Sequence, residues 1–297
     1  WSIIKCTVSG YFNNDSFLYA GSIAFSTIFS LPAIIMISLS IGSAFYERDL
    51  VQQELLNQIA RLIGRESTEQ IEKIILNATY DMSSAFARVI GIGTLIFSAT
   101  TVFVSLQTSL NKMWGIKPKP DKGWLKYIIN RLLSFAMVVS FGFVLLVSLL
   151  LDTILVLIQN KVNLIFDGLT AYLVAAANLV VSMAIITLIF ALLFKILPDA
   201  KIRWRDVWVG AFITTVLFTV GKYLIGFYLG NSNINSAYGA AGAFVIILIW
   251  VYYSTLIFLF CAEFTSVYAS KHGKGIVLYK NAVKFKKVEV HQENINE

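Results

Sequence analysis

Apolar positions along the chain fall into six long runs, roughly 17–45, 85–110, 132–158, 170–196, 207–229 and 242–270. Each is long enough for a helix to cross the hydrocarbon core, which takes about 20 apolar residues. Apolar and polar positions do not alternate within the runs, as a membrane-spanning strand requires. The pattern predicts an all-α fold, a polytopic membrane bundle of six transmembrane helices over residues 1–270, with a basic cytoplasmic tail at 271–297. The opening stretch WSIIKCTVSGYFNNDSF is too polar to be the apolar part of a signal peptide, so the first run is expected to be a retained span.

The long connection 46–84 carries a different period. Val51, Leu55, Ile59 and Leu62 recur at helical spacing, and Gly64 interrupts them. Ser67 and Gln70 then stand at capping-box spacing before Ile71, Ile74 and Ile75. Two short amphipathic helices are expected outside the membrane, packed on the outer end of the bundle, laid on the lipid surface or closing over a cavity.

Composition agrees with the pattern. The 297 residues are 57% hydrophobic and 14% charged, too apolar and too poor in charge for a soluble domain of this length. The net charge of +7 is distributed by connection. NKMWGIKPKPDKGWLKYIINR, 111–131, holds six Lys/Arg, KILPDAKIRWRD holds Lys195, Lys201, Arg203 and Arg205, and the tail from Lys271 holds six lysines. The intervening connections are nearly uncharged: GNSNINSAYGAAG, 230–242, has no charge, and QNKVNLIFDG, 159–168, has Lys161 and Asp167. This is the positive-inside pattern, and it puts both termini in the cytoplasm and segments 46–84, 159–169 and 230–241 outside. The same basic connections suit anionic lipid headgroups, so membrane lipids are the expected partners and nucleic acid is not.

Polar residues inside the runs are the candidates for function. Ser22, Ser26 and Ser30 are four apart and share a helix face, with Pro32 following. A serine stripe serves close helix packing or lines a hydrophilic groove, and a proline commonly kinks its helix. Lys222 lies in the outer half of the fifth run and Glu263 in the inner third of the sixth. Charges at such depths are costly unless they face protein or water. Helical rise puts Lys222 roughly 12 Å above Glu263, too far for a direct bond. Asp152 is nearer Lys222 in depth, and Lys195 and Arg131 are nearer Glu263. The expected partner of Glu263 is a basic or hydroxyl group from the first, third or fourth span. An ion pair that locks helices and a substrate or proton site are both open readings of Glu263. At the mouth of the sixth run, Tyr238 and Gly239 lead into a small-residue patch ending at Gly242, and Trp250 and Tyr253 lie near mid-span. These residues line a cavity or pack the bundle.

Other chemistry has little support. The two histidines, His272 and His291, are in the tail, and no cluster of His, Asp and Glu has metal-ligand spacing. Phosphate loops and nucleophile elbows are absent. Cys6 is expected before the first span and Cys261 inside the last, and neither a disulfide nor a metal site is suggested. No cofactor and no enzymatic role are expected.

The last run carries a resemblance. NSAYGAAGAFVIILIWVYYSTLIFLFCAEFTSVYA is similar to the signature of the YihY/BrkB family of bacterial inner-membrane proteins, matching at Tyr238, Gly239, Trp250, Tyr252, Tyr253, Ala262, Glu263 and Phe264. AFSTIFSLPAIIMI in the first run resembles the family's Ser-rich stretch ending in proline. The resemblance implies a six-helix fold in the inner membrane. The family has been associated with virulence, was once labelled a ribonuclease, and has been suspected of transport, including lipid traffic. The resulting expectation is a transporter or flippase-like protein for a lipid or other amphiphile, with a groove walled by spans one, five and six. A non-transporting scaffold that docks envelope proteins through 46–84 is the alternative, and a membrane ribonuclease comes last.

Overall fold

The computed structural model describes residues 2–44, 46–63, 68–69, 71–72, 85–118, 169–232, 234–238, 241–273, 275–278 and 282–285. Within them the chain is almost entirely helical. Five long helices follow the apolar runs: α2 (Ser16–Gly42), α4 (Ala85–Met113), α5 (Leu169–Ile196), α6 (Trp204–Gly230) and α8 (Gly242–His272). Four of these, α2, α5, α6 and α8, contain segments long and apolar enough to cross a membrane by length and composition. The third predicted span, 132–158, lies outside the described residues. Shorter helices are α1 (Ser2–Asn13), α3 (Arg48–Ile63) and α7 (Ile234–Tyr238).

Helix α8 is the axis of the bundle and packs against α1, α2, α4 and α6, while α2 pairs with α4 and α5 with α6. Its interface with α6 depends on small residues. A Cβ at Gly210 would fall 2.0 Å from Thr265 Oγ1 and 2.9 Å from its Cβ, so glycine is needed there for the two helices to meet this closely, and one at Gly221 would push the tip of Ile257 aside. The apolar centre holds Leu110, Phe194, Val207 and Leu259, with the Phe194 and Phe258 rings stacked 5.2 Å apart. Hydroxyls buried at these interfaces bond within the protein. Thr214 donates to the Gly210 carbonyl at 2.7 Å, Thr265 to that of Cys261 at 2.7 Å, and Thr187 meets Thr215 at 2.9 Å. Each such bond spares a buried hydroxyl the cost of a missing partner.

The basic connections converge at one end. Strand β1 (Ile116–Pro118) pairs antiparallel with β4 (Ala282–Lys284), and β2 (Ala200–Lys201) pairs antiparallel with β3 (Val277–Leu278). The start of the tail is therefore hydrogen-bonded to both basic connections. Asn111 adds a latch there, donating to Asp199 Oδ2 and accepting from the Asp199 backbone N–H, both at 2.9 Å. At the other end, α3 seats Val51 against Gly42 in a cluster with Ile35, Leu39, Ile71 and Ile247, and Leu55 and Ile59 pack on that cluster. The helical period read in 46–63 thus serves packing on the end of the bundle opposite the strands.

Helix α1 was not expected from the sequence. Residues 2–13 form a helix that runs antiparallel to the last turns of α8. Lys271 Nζ bonds Ser2 Oγ and lies 3.4 Å from Cys6 Sγ, Gly10 abuts Glu263, and the Tyr11 ring meets Phe260 at 5.5 Å.

Candidate functional site

The site is built where α1 gives way to α2. The chain breaks at Asn14 and Asp15, and Asp15 takes a left-handed conformation with φ 59°. Ser16 then starts α2, and its hydroxyl donates to the Tyr11 carbonyl at 2.6 Å, satisfying an acceptor at the end of α1. The Tyr11 hydroxyl reaches across to the Leu256 carbonyl at 3.3 Å. Trp114, just past the end of α4, donates its indole N–H to the Ala262 carbonyl at 3.0 Å. Two side chains, Tyr11 from α1 and Trp114 after α4, therefore hold the backbone of α8 in the turns leading to Glu263.

Glu263 is 6% exposed. Its hydrogen-bond partner among the described residues is the amide of Asn14, which donates to Oε2 at 3.2 Å. Among the described residues that partner is a neutral amide from the α1–α2 break, not a basic or hydroxyl group from the first or fourth span; the third span, 132–158, lies outside them. Gly10 makes the approach possible, because a Cβ there would stand 2.1 Å from Glu263 Oε1. Lys195, considered as a partner for Glu263, instead donates to the Ile202 carbonyl and lies over the Trp204 ring, 5.4 Å from its centroid. Arg131, Asp152 and Gly239 lie outside the described residues.

The serine stripe divides. Ser22 is exposed, Ser26 meets the Ser105 hydroxyl at 3.0 Å, and the buried Ser30 donates to the Ser98 carbonyl. Two of the three therefore join α2 to α4 and do not face a groove. Pro32 lies inside α2. Lys222 is half-buried on α6 and is far from Glu263 along the bundle, since its neighbour Gly221 faces Tyr253 and Ile257 on α8. Tyr238 ends α7 and is exposed.

Trp250 and Tyr253 face the α6 side of α8. The Trp250 indole N–H is buried with no hydrogen-bond partner among the described residues. It borders an apolar cavity of about 140 Å³ whose lining includes Leu106, Phe190, Phe218 and Ser254. The structure keeps this cavity and Glu263 on different faces of α8: one is lined from α4, α5 and α6, the other closed by α1 and the α1–α2 break.

Sequence reasoning missed Asn14, Gly10 and Asp206. Asp206, in the first turn of α6, is 5% exposed, its Oδ2 has no hydrogen-bond partner among the described residues, and it lies so close to Gly273 that a Cβ there would fall 2.4 Å away. No local motif marks these residues; their partners are far along the chain.

Comparison with known proteins is consistent along the chain. The family model described as Virulence factor BrkB matches residues 7–284. A UPF0761 membrane protein of Alteromonas mediterranea is 28% identical over 248 residues, covering 83% of this chain and 80% of that protein. One from Pseudoalteromonas atlantica is 27% identical, covering 84% and 79%. One from Rhodospirillum centenum is 25% identical over 89% of this chain, which spans 56% of that protein's length. No solved structure matches. With the family model spanning 7–284, this integral membrane protein belongs to the Virulence factor BrkB family.

Proposed function

We propose that this protein moves a lipid or another amphiphilic envelope component within or across the bacterial inner membrane, with its basic end in the cytoplasm. The observation that carries the reading is Glu263. It is a carboxylate withdrawn from solvent inside an apolar helix, set against a helix break, and held, among the described residues, by the neutral amide of Asn14. Broken helices with a polar group at the break are where membrane transporters bind their cargo and coupling ions. A carboxylate kept there with no locking cation among the described residues is a place to exchange a proton or a cationic headgroup.

Glutamine is the decisive substitution. Glu263→Gln keeps an acceptor for Asn14 and nearly the same shape, so it should leave the melting temperature in detergent unchanged. It should abolish movement of a fluorescent phospholipid between leaflets of proteoliposomes, read by dithionite quenching. A variant that melts normally and still moves lipid removes Glu263 from the mechanism.

The scaffold reading retains one supporting observation. A polar cavity of about 510 Å³ lies at the outer end, lined by Asp49, Gln53, Asn57, Glu69 and Glu72 among others. On that reading, reconstituted wild-type protein moves no lipid, while Asn57→Arg disrupts envelope integrity in cells.

A further inference from the structure

Helix α1 presents three ladders, each with a step of four residues. Thr7 and Tyr11 are buried against α8. Lys5, Ser9 and Asn13 are exposed and polar. Ile4, Val8 and Phe12 are exposed and apolar, Ile4 at 54% and Phe12 at 62%. Residues four apart share a helix face, so the last two ladders are adjacent stripes of opposite character on the outward side.

The apolar stripe does not stop at the helix break. The Phe12 ring meets that of Phe17 at 5.8 Å, and exposed Leu18, Phe25 and Phe29 continue along α2. Because α2 is long and apolar enough to cross the membrane, its exposed apolar side is the side that meets acyl chains. The stripe on α1 is therefore an extension of a lipid-facing surface. At about 18 Å, α1 is too short to cross a core of about 30 Å. Its position beside the last turns of α8 puts it at the basic end, where Lys5 and Lys271 are exposed and Trp204 and Trp208 on α6 are half exposed. Tryptophans of that kind mark the boundary between headgroups and acyl chains.

We propose that α1 is a membrane-contact helix: Ile4, Val8 and Phe12 seat in the acyl-chain boundary of the leaflet at the basic end, and Lys5 with Lys271 holds the phosphate of an anionic phospholipid. This surface is separate from the Glu263 side chain and does not depend on transport. Amphipathic helices with an apolar stripe beside a basic margin bind bilayers in this way, by buried apolar area together with attraction to anionic lipid.

The test uses the full chain with Cys6→Ser as background, since Cys261 is buried. Nitroxides are placed singly at Ile4→Cys, Val8→Cys, Phe12→Cys and Ser9→Cys. The protein is reconstituted in vesicles of phosphatidylethanolamine and phosphatidylglycerol. Labels at positions 8 and 12 should collide several-fold more with oxygen than with a water-soluble nickel chelate, and the label at 9 should show the reverse. Labels at 8 and 12 as open to the chelate as the one at 9 would overturn the proposal. So would shielding from both reagents together with crosslinking of Phe12→Cys between chains, which would make the stripe a subunit interface. In native mass spectrometry from the same vesicles, Lys5→Gln should retain less phosphatidylglycerol than the parent; equal retention overturns the assignment of the headgroup.

Discussion

Gly10 and Glu263 meet where a hydrogen atom is the only side chain that fits, and that contact has a measurable sign. Adding a methyl group at Gly10 puts carbon 2.1 Å from Glu263 Oε1, well inside contact distance. The carboxylate, its Asn14 bond or the whole of α1 must shift. Gly10→Ala should lower stability by about 1–3 kcal/mol, the usual range for overpacking. Glu263→Ala removes the atoms in the way, so the double variant should recover most of what Gly10→Ala loses. Melting curves of the four proteins in one detergent give the coupling energy directly. Simple additivity would mean that the two residues do not touch. Nothing of this contact was legible locally: Gly10 sits in a polar stretch, and Asn14 and Glu263 are 249 residues apart. Sequence reasoning could say that Glu263 needs a protein or water partner, because an apolar helix in lipid offers none. It favoured a basic or hydroxyl partner, since charge and hydroxyl groups are the features a sequence displays. An asparagine just before an apolar run reads as a turn residue or helix cap until the fold brings it across.

Among the elements, those with a strong apolar average were readable to within a few residues. The runs at 170–196 and 242–270 became α5, Leu169–Ile196, and α8, Gly242–His272, because hydropathy alone fixes where such a helix leaves the membrane. Helix α1 escaped for the opposite reason. Its buried side holds Thr7 and Tyr11, its exposed apolar side only Ile4, Val8 and Phe12, and Ser2, Lys5, Ser9 and Asn13 are polar. A window average over those residues is unremarkable, although the four-residue spacing was there to be read. The boundary between α1 and α2 depends on Asp15, whose left-handed φ of 59° a β-branched residue resists. Asp15→Gly should keep the break, since glycine takes that conformation freely. Asp15→Ile should cost about 1–2 kcal/mol, the steric penalty of the left-handed region for a substituted residue. If instead Asp15→Ile were the more stable of the two, α1 and α2 would be joining into one straight helix, and the placement of Asn14 on Glu263 would be lost with it.

For the whole molecule, the arrangement of charge and the pairing of strands give one account of how the chain sits. The strands at 116–118, 200–201, 277–278 and 282–284 gather two basic connections and the tail at a single end, and α3 and α7 lie at the other. Cationic connections resist translocation, so the end that concentrates them is expected to stay on the cytoplasmic side. The register makes the gathered end testable apart from its sidedness. Lys117 stands opposite Val283 in the β1–β4 pair, so Lys117→Cys with Val283→Cys should crosslink under mild oxidant, whereas Lys117→Cys with Val277→Cys on the other strand pair should not. Sidedness then follows from labelling intact spheroplasts with a membrane-impermeant maleimide in the Cys6→Ser background. Ser232→Cys, beyond the end of α6, and Asn57→Cys on α3 should react from outside, while Lys117→Cys should react only after the membrane is permeabilised. Reaction of Lys117→Cys in intact spheroplasts, with Ser232→Cys protected, would turn the molecule over. It would also place the Glu263 site in the outer leaflet, so that any cargo taken up there would have to come from the external side.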